Sequence, residues 1–244
     1  MLTKDTAICI RATDFSETSQ IVTFFTRETG KVSAIAKGSK RPKSAFDGPL
    51  EIFSFGKIVF SDSTREKLAT LTEFEQQPVF ARLASDLFAL NCCLFSTELL
   101  NNLTNDYDPH PQLFDNFLRF LQNTNKIRDT LALLILFQLS LLREVGLQPI
   151  LNACVNCKTQ YTIRNTQYDV YFSSSANGLI CRDCQASFHD KIRLTETAAN
   201  CLANLKMITE TNEKTLNEIE KVLIYHFTEI LGHPPKMAKH ILKS

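Results

Sequence analysis

Two Cys-x-x-Cys knuckles, Cys154-Val155-Asn156-Cys157 and Cys181-Arg182-Asp183-Cys184, constrain this chain more than any other stretch. Such a turn brings two thiolates to one side of the backbone, and two turns supply the four soft ligands of a tetrahedral Zn²⁺ site. Between them, Tyr168-Asp169-Val170-Tyr171-Phe172 is aromatic and β-branched. Ser173 to Ser175 and Asn177-Gly178 then supply turn chemistry, and Gly178-Leu179-Ile180 leads back to the second knuckle. This is a hairpin signal, so residues 151–190 are expected to form a zinc-ribbon-like module. The competing reading is a pair of redox dithiols, although neither knuckle sits between a strand and a helix start as a thioredoxin-type motif does. Four Cys ligands close the coordination shell, so the single Zn²⁺ expected at Cys154, Cys157, Cys181 and Cys184 is structural.

The remaining cysteines bear on compartment. Cys92 and Cys93 are adjacent in a helical run, and Cys9 and Cys201 are isolated. That is not a disulfide framework, and a reducing cytoplasm is expected. The opening Met1-Leu2-Thr3-Lys4-Asp5 has no apolar signal core after its charges. The most apolar run, Leu131 to Leu142, contains Gln138 and is too short for a membrane span, so no membrane partner is expected. A chain of 244 residues with 44% apolar content has ample material for a core in one large domain or two to three small ones. The net charge is only +1, so any nucleic-acid role must come from local asymmetry.

The first third of the chain reads as β. Strand signals run through Thr6 to Ala12, Gln20 to Thr26, Lys31 to Ala36, Leu50 to Phe60 and Lys67 to Glu75. Gly56 within the fourth marks a bulge or barrel corner. Five short strands in this span predict a closed barrel of the OB-fold kind over residues 1–77, assigned to nucleic-acid binding. Between the third and fourth strands lies Lys37-Gly38-Ser39-Lys40-Arg41-Pro42-Lys43-Ser44, with four cations and no acid. Gly38 and Pro42 place it on a loop. Either it is a solvated loop or targeting tag, or it grips phosphates, and its place on a small barrel favours the latter. Arg11, Arg27 and Lys31 extend the patch; Asp5, Asp14, Glu17, Glu28 and Asp47 oppose it. Phe15, Phe24, Phe25, Phe46 and Phe53 are candidates either for stacking on bases or for the core.

Beyond Gln77-Pro78 the period becomes helical. A helix carrying Phe80, Leu83, Leu87, Leu90 and Leu94 is expected to about Leu100, and a second carries Leu113, Phe117, Phe120 and Leu121. A third, from about Lys126 to Val145, is apolar round most of its girth and stops at Gly146. These form the first part of a helical domain, 78–150. The second part, 191–244, holds a helix opened by Thr195, another over Thr215 to Leu231, and a basic tail with Lys236, Lys239 and Lys243. The class is therefore α+β and multidomain: an N-terminal barrel, then helices with an embedded four-Cys module.

Motifs of catalysis are missing. There is no Gly-x-x-x-x-Gly-Lys phosphate loop, no Gly-x-Ser-x-Gly elbow and no His-Glu-x-x-His pair. His189 reads as a loop residue and His226 as a packing histidine. No two carboxylates stand out as an acid/base couple, which argues against an enzyme.

Barrel, basic loop, helices and late Cys clasp together resemble the RecO family of bacterial recombination mediators. The resemblance is carried by Glu17-Thr18-Ser19-Gln20-Ile21-Val22, then Phe25-Thr26 and Gly30, the run Lys37 to Ser44, the four clasp cysteines and the ending Lys243-Ser244. It implies binding of single- and double-stranded DNA, annealing of complementary strands, and help in loading RecA onto DNA coated with single-stranded-DNA-binding protein (SSB). It also implies RecR and the C-terminal tail of SSB as partners, and a cytoplasmic, nucleoid-associated protein. DNA contacts are expected at Lys37, Lys40, Arg41, Lys43, Arg11, Lys31, Lys236, Lys239 and Lys243. The alternative is an RNA-binding OB-fold and zinc accessory protein, which the same residues allow.

Overall fold

A computed structural model describes residues 2–41, 44–46, 48–61, 68–77, 86–124, 127–161 and 169–242. The chain divides into two compact units, Met1–Ala84 with Leu103–Gln122, and Ser85–Asn102 with Asn123–Ser244.

The first unit is built on a closed barrel of five strands: β1 (Leu2–Asp14), β2 (Gln20–Thr26), β3 (Gly30–Ala36), β4 (Phe55–Ser61) and β5 (Ala69–Gln77), in the order β1-β2-β3-β5-β4. This is the OB-type barrel expected from the strand pattern. β1 is long enough to pair with both β2 and β4, and a short parallel pair, Ala34 with Ala69 and Ile35 with Thr70, completes the closure. A barrel this narrow has room for small residues inside. Its core accordingly takes Ala7 and Cys9 from β1, Val22 and Phe24 from β2, Val32, Ala34 and Ala36 from β3, and Ile58, Phe60, Leu71 and Phe74 from β4 and β5. Ile8 is buried on the opposite face of β1 and pairs with Phe25, whose ring stands 5.9 Å from Phe114. Phe114 belongs to α2 (Pro111–Asn123), which brings Leu113, Phe117, Phe120 and Leu121 into the interior.

Strand boundaries differ from the sequence expectation, and β1 runs from Leu2 to Asp14, beyond the Thr6 to Ala12 expected. The stretch expected to be one strand from Leu50 is a turn as far as Ser54, with Phe53 in the left-handed region at φ 70°. It is held there by Phe53 N–H donating to Cys9 O at 2.7 Å and Cys9 N–H to Ser54 O at 2.8 Å, at the bulge between Cys9 and Arg11. The fifth strand begins at Ala69; Lys67 lies outside the described residues. Gly56 stands where β5 crosses closely: a Cβ there would lie 2.0 Å from Glu75 O. A shift of register between Val59 and Phe60 lets both Leu71 and Phe74 point inward, which strict alternation forbids.

The second unit contains α1 (Leu87–Leu103), α3 (Ile127–Glu144), α4 (Glu196–Ala203) and α5 (Glu213–Leu231). Asp86 caps α1 by accepting from the amides of Phe88 and Ala89; Pro78, Phe80 and Leu83, read as its beginning, lie outside the described residues, as does Lys126. Thr195 caps α4 as expected, Asn212 caps α5, and Gly146 and Gly232, at φ 76° and 72°, follow α3 and α5. α3 buries residues around its girth, from Leu131 and Leu134 through Gln138 to Leu142. Among the described residues, no helix is long and apolar enough to cross a membrane.

Inserted between α3 and α4 is a three-stranded antiparallel sheet of order β7-β6-β8: β6 (Val170–Ser173), β7 (Gly178–Cys181) and β8 (Lys191–Leu194). The β6–β7 hairpin is legible in the sequence, whereas β8 is not, because Lys191-Ile192-Arg193-Leu194 is too short to show a period. Tyr168 lies outside the described residues.

Candidate metal centre and nucleic-acid interface

The two knuckles meet. The Sγ atoms of Cys154, Cys157, Cys181 and Cys184 all lie within 4.8 Å of one another. β7 delivers Cys181 at its end, and Cys184 N–H turns back to Cys181 O at 3.2 Å. The first knuckle is closed by Lys158 N–H to Cys154 O and Cys154 N–H to Thr159 O, both 2.9 Å, and fastened to β7 by Val155 N–H to Leu179 O.

The residues fit a single tetrahedral ion. Four sulfurs about 2.3 Å from a central Zn²⁺ stand about 3.8 Å from one another, and Cys157 Sγ and Cys181 Sγ are 3.7 Å apart, far beyond disulfide length. Donors converge on the sulfurs: Cys181 N–H on Cys154 Sγ at 3.4 Å and Asn156 Nδ2–H on Cys184 Sγ at 3.3 Å, as in the outer shell of a thiolate site. Burial pushes the Cys181 thiol up to about 12, whereas hydrogen bonds from Thr159 first of all bring Cys157 down to about 6. Four neighbouring thiolates repel one another, and a dication is what allows all four to ionise together. The cluster can hold a metal ion.

The hairpin of this module is tied to the helices by polar contacts that sequence reasoning missed. Asp190 accepts from Ser173 Oγ at 2.7 Å, Ser175 N at 2.8 Å and Ser175 Oγ at 2.7 Å. Partial burial works to raise its carboxyl, but these donors prevail and hold it at about 2. Ser174 Oγ is 2.7 Å from Nδ1 of His226 on α5, whose ring packs edge-on against Phe172. His226 is buried as expected of a packing histidine, although its Nε2 has no partner among the described residues, and burial lowers it to about 4. Ser-Ser-Ser before a turn was the available signal, but only the fold pairs it with residues 15 to 52 positions on.

In the barrel unit the cationic run forms a tight turn: Arg41 N–H donates to Gly38 O at 3.0 Å, with Gly38 at φ 73°. It is clamped to the β1–β2 turn. Lys40 N–H donates to Thr18 O at 3.2 Å, Gly38 N–H to Ser19 Oγ at 3.3 Å, and Lys40 Nζ to Asp14 Oδ2 at 2.7 Å. Beneath, Ser39 Oγ, fully buried, donates to Gln20 Oε1, and Gln20 Nε2 donates to Leu50 O. Lys37 and Arg41 are exposed and Lys40 is partly so; Lys43 lies outside the described residues. Arg11 is exposed on β1, two residues beyond the inward-facing Cys9.

The other expected DNA contacts are placed differently. Lys31 is largely covered, and its ammonium sits 2.8 Å from Thr104 O and 3.5 Å from Asp106. Arg27, named as an extension of the patch, makes a two-point pair with Asp115 of α2, both contacts at 3.0 Å. Lys236 and Lys239 are exposed in the second unit, on a segment anchored by Glu98, whose carboxylate accepts from the amides of Lys236 and Met237 at 2.8 Å each. Lys243 lies outside the described residues. Of the five phenylalanines weighed for stacking, Phe24, Phe25, Phe46 and Phe53 are interior, and Phe15 is 60% exposed.

Comparison with known proteins agrees with this architecture. The family described as "Recombination protein O N terminal" matches residues 1–78, and "Recombination protein O C terminal" matches 84–239. The chain is 31% identical to DNA repair protein RecO of Bacillus pumilus over 239 residues, covering 95% of this chain and 90% of that one. It is 30% identical to DNA repair protein RecO of Bacillus subtilis over 239 residues, 95% of this chain and 91% of that one. Against DNA repair protein RecO of Rhodopirellula baltica it is 30% identical over 211 residues, 86% and 77% of the two chains.

Proposed function

Because this chain belongs to the RecO family of DNA repair and recombination proteins, we propose that it is a non-catalytic mediator that anneals complementary single strands and assists RecA loading on SSB-coated DNA. The observation that carries this reading is the clamped turn at Gly38 to Arg41, which holds Lys37, Lys40 and Arg41 together at one end of an OB-type barrel. Annealing is opposed by phosphate repulsion between two strands. Cations on a preorganised turn displace the counterions of one strand and lower that repulsion. Both single- and double-stranded DNA offer the same phosphates and are ligands on this reading. Arg11, exposed on the same barrel, adds to this charge, and Lys43, Lys236, Lys239 and Lys243 are proposed as further DNA contacts.

RecR and the C-terminal tail of SSB are the protein partners that family membership supports, and the working place is the cytoplasm, at the nucleoid. Cys154, Cys157, Cys181 and Cys184 hold one structural Zn²⁺. Bound there, it supplies charge neutralisation for four thiolates and no open coordination position.

The test is annealing of complementary strands coated with cognate SSB, with and without this protein. Acceleration by the native protein, lost in Lys40→Glu/Arg41→Glu, is expected. No acceleration overturns the mediator reading. A marked preference for RNA in competition with single-stranded DNA transfers the same turn to an RNA-binding accessory role.

A further inference from the structure

We infer that Phe15 is a base-stacking residue, and that the β1–β2 turn together with the Lys37–Arg41 turn forms a composite site that favours unpaired nucleotides over duplex. The inference rests on the nucleic-acid reading of the barrel given above and assigns it one aromatic contact.

Phe15 is not part of the barrel core. It is 60% exposed, whereas Phe24, Phe25, Phe46 and Phe53 of the same unit are at most 6% exposed. An exposed aromatic ring in water forgoes the burial that places such residues in cores. Yet its backbone is fixed. Phe15 N–H donates to Ser19 O at 2.9 Å, and Ser16 Oγ accepts from Ser19 N at 3.1 Å, closing the turn behind it. The residue just before it is Asp14, which holds Lys40 at 2.7 Å, while Thr18 and Ser19 hold the amides of Lys40 and Gly38. The turn that presents the ring and the turn that presents the cations are thus one hydrogen-bonded assembly.

The ligand follows from that pairing. Cations alone grip any phosphate backbone, single or double. A flat apolar face beside them adds something only for a base whose own face is free, which excludes a paired and stacked duplex. Asp14 and Glu17, both exposed on this turn, oppose phosphate close to the ring and suit a nucleobase there instead. Holding bases splayed while neutralising phosphates keeps a strand available for pairing, the state an annealing protein needs.

The sequence contains no tryptophan, so Phe15→Trp introduces a sole indole reporter. Quenching of its fluorescence by oligo-dT, and none by an abasic strand of equal length or by duplex at matched phosphate concentration, is expected. Phe15→Ala in the full chain is expected to lower oligo-dT affinity by roughly five- to tenfold, the loss of one base–aromatic stack, with duplex affinity and thermal midpoint unchanged. Phe15→Leu, which keeps an apolar contact without the ring, should fall with Ala. If Phe15→Ala binds oligo-dT like the native protein while Lys40→Glu/Arg41→Glu does not, the stacking role is overturned and the cationic reading stands. If neither variant affects oligo-dT binding, the barrel reading fails and this inference with it. Equal losses on oligo-dT and duplex also overturn it, since they mark a contact to backbone and not to bases.

Discussion

The Lys40 ammonium stands 2.7 Å from Asp14 Oδ2, so one cation of the expected phosphate grip is paired with an acid of the neighbouring turn. The pair is partly exposed, with Lys40 and Asp14 side chains at 29% and 64% accessibility, so it contributes about 0–1 kcal/mol to stability. Phosphate must compete with Asp14 for Lys40. Asp14→Asn should therefore tighten single-strand binding by about two- to fivefold at low salt, with the gain fading as salt rises. Fluorescence anisotropy across a salt series reads this directly; weaker binding in Asp14→Asn would mean that the clamp, not the freed charge, matters.

Charge reversal at Lys40 and Arg41 asks whether the turn touches phosphate at all. Each phosphate contact to a single strand contributes about 0.7 to the slope of log affinity against log salt. Lys40→Glu/Arg41→Glu should lose affinity and flatten that slope by about 1.4. A slope equal to the native one removes the turn from the interface.

The four-Cys cluster is expected to be a staple. Chelation of zinc, or Cys181→Ser, should lower the thermal midpoint of the helical unit, with the transition returning when zinc is restored after chelation. Structural zinc sites contribute several kcal/mol of folding free energy, so a shift of roughly 10 °C is expected for a chain of this size. Scanning calorimetry with metal analysis checks it. An unmoved transition, with thiols that cycle through disulfides, would favour the dithiol reading.

Glu220 gives the helical unit a pH dependence. Its side chain is fully buried, Gln138 Nε2 donates to Oε1 at 2.8 Å, and Oε2 has no partner among the described residues. Burial raises its carboxyl to about 8, only partly offset by Gln138. Because the folded value lies above the unfolded one, the protonated form carries the stability. That contribution is full below about pH 4.5 and is lost as pH rises towards 8, a change on the order of a few kcal/mol. Glu220→Gln keeps a neutral group and offers an N–H to Gln138 Oε1, which has no partner among the described residues. It should be more stable than the native protein at pH 8 and nearly equal at pH 5, by denaturant titration. His226 runs the other way: lowered to about 4 by burial, it contributes stability that is lost as pH falls below about 6.5. A native protein equally stable at pH 5 and pH 8, matched by Glu220→Gln, would show that Glu220 is relieved by water or by relaxation.

The sequence by itself determined the elements whose signals are local. Alternation in Val32, Ala34 and Ala36, the Thr195 cap, the Gly146 stop and the two knuckles each specify backbone within a few residues, and all appear where the pattern placed them. The metal-binding cluster was equally legible, because ligand spacing is itself a local geometric constraint. Tertiary structure decided the rest, because partners distant in the chain settle which face is inside and which charges are free. On β1, Ala7 and Cys9 face the barrel core and Ile8 faces the layer of Phe25 and Phe114, a choice of faces that alternation alone leaves open. Nothing local distinguishes Lys31, engaged by Thr104 and Asp106, from Lys37, which is exposed. Five phenylalanines look alike in sequence, and only closure of the barrel leaves Phe15 outside, on a turn fastened to the cations by Asp14, Thr18 and Ser19.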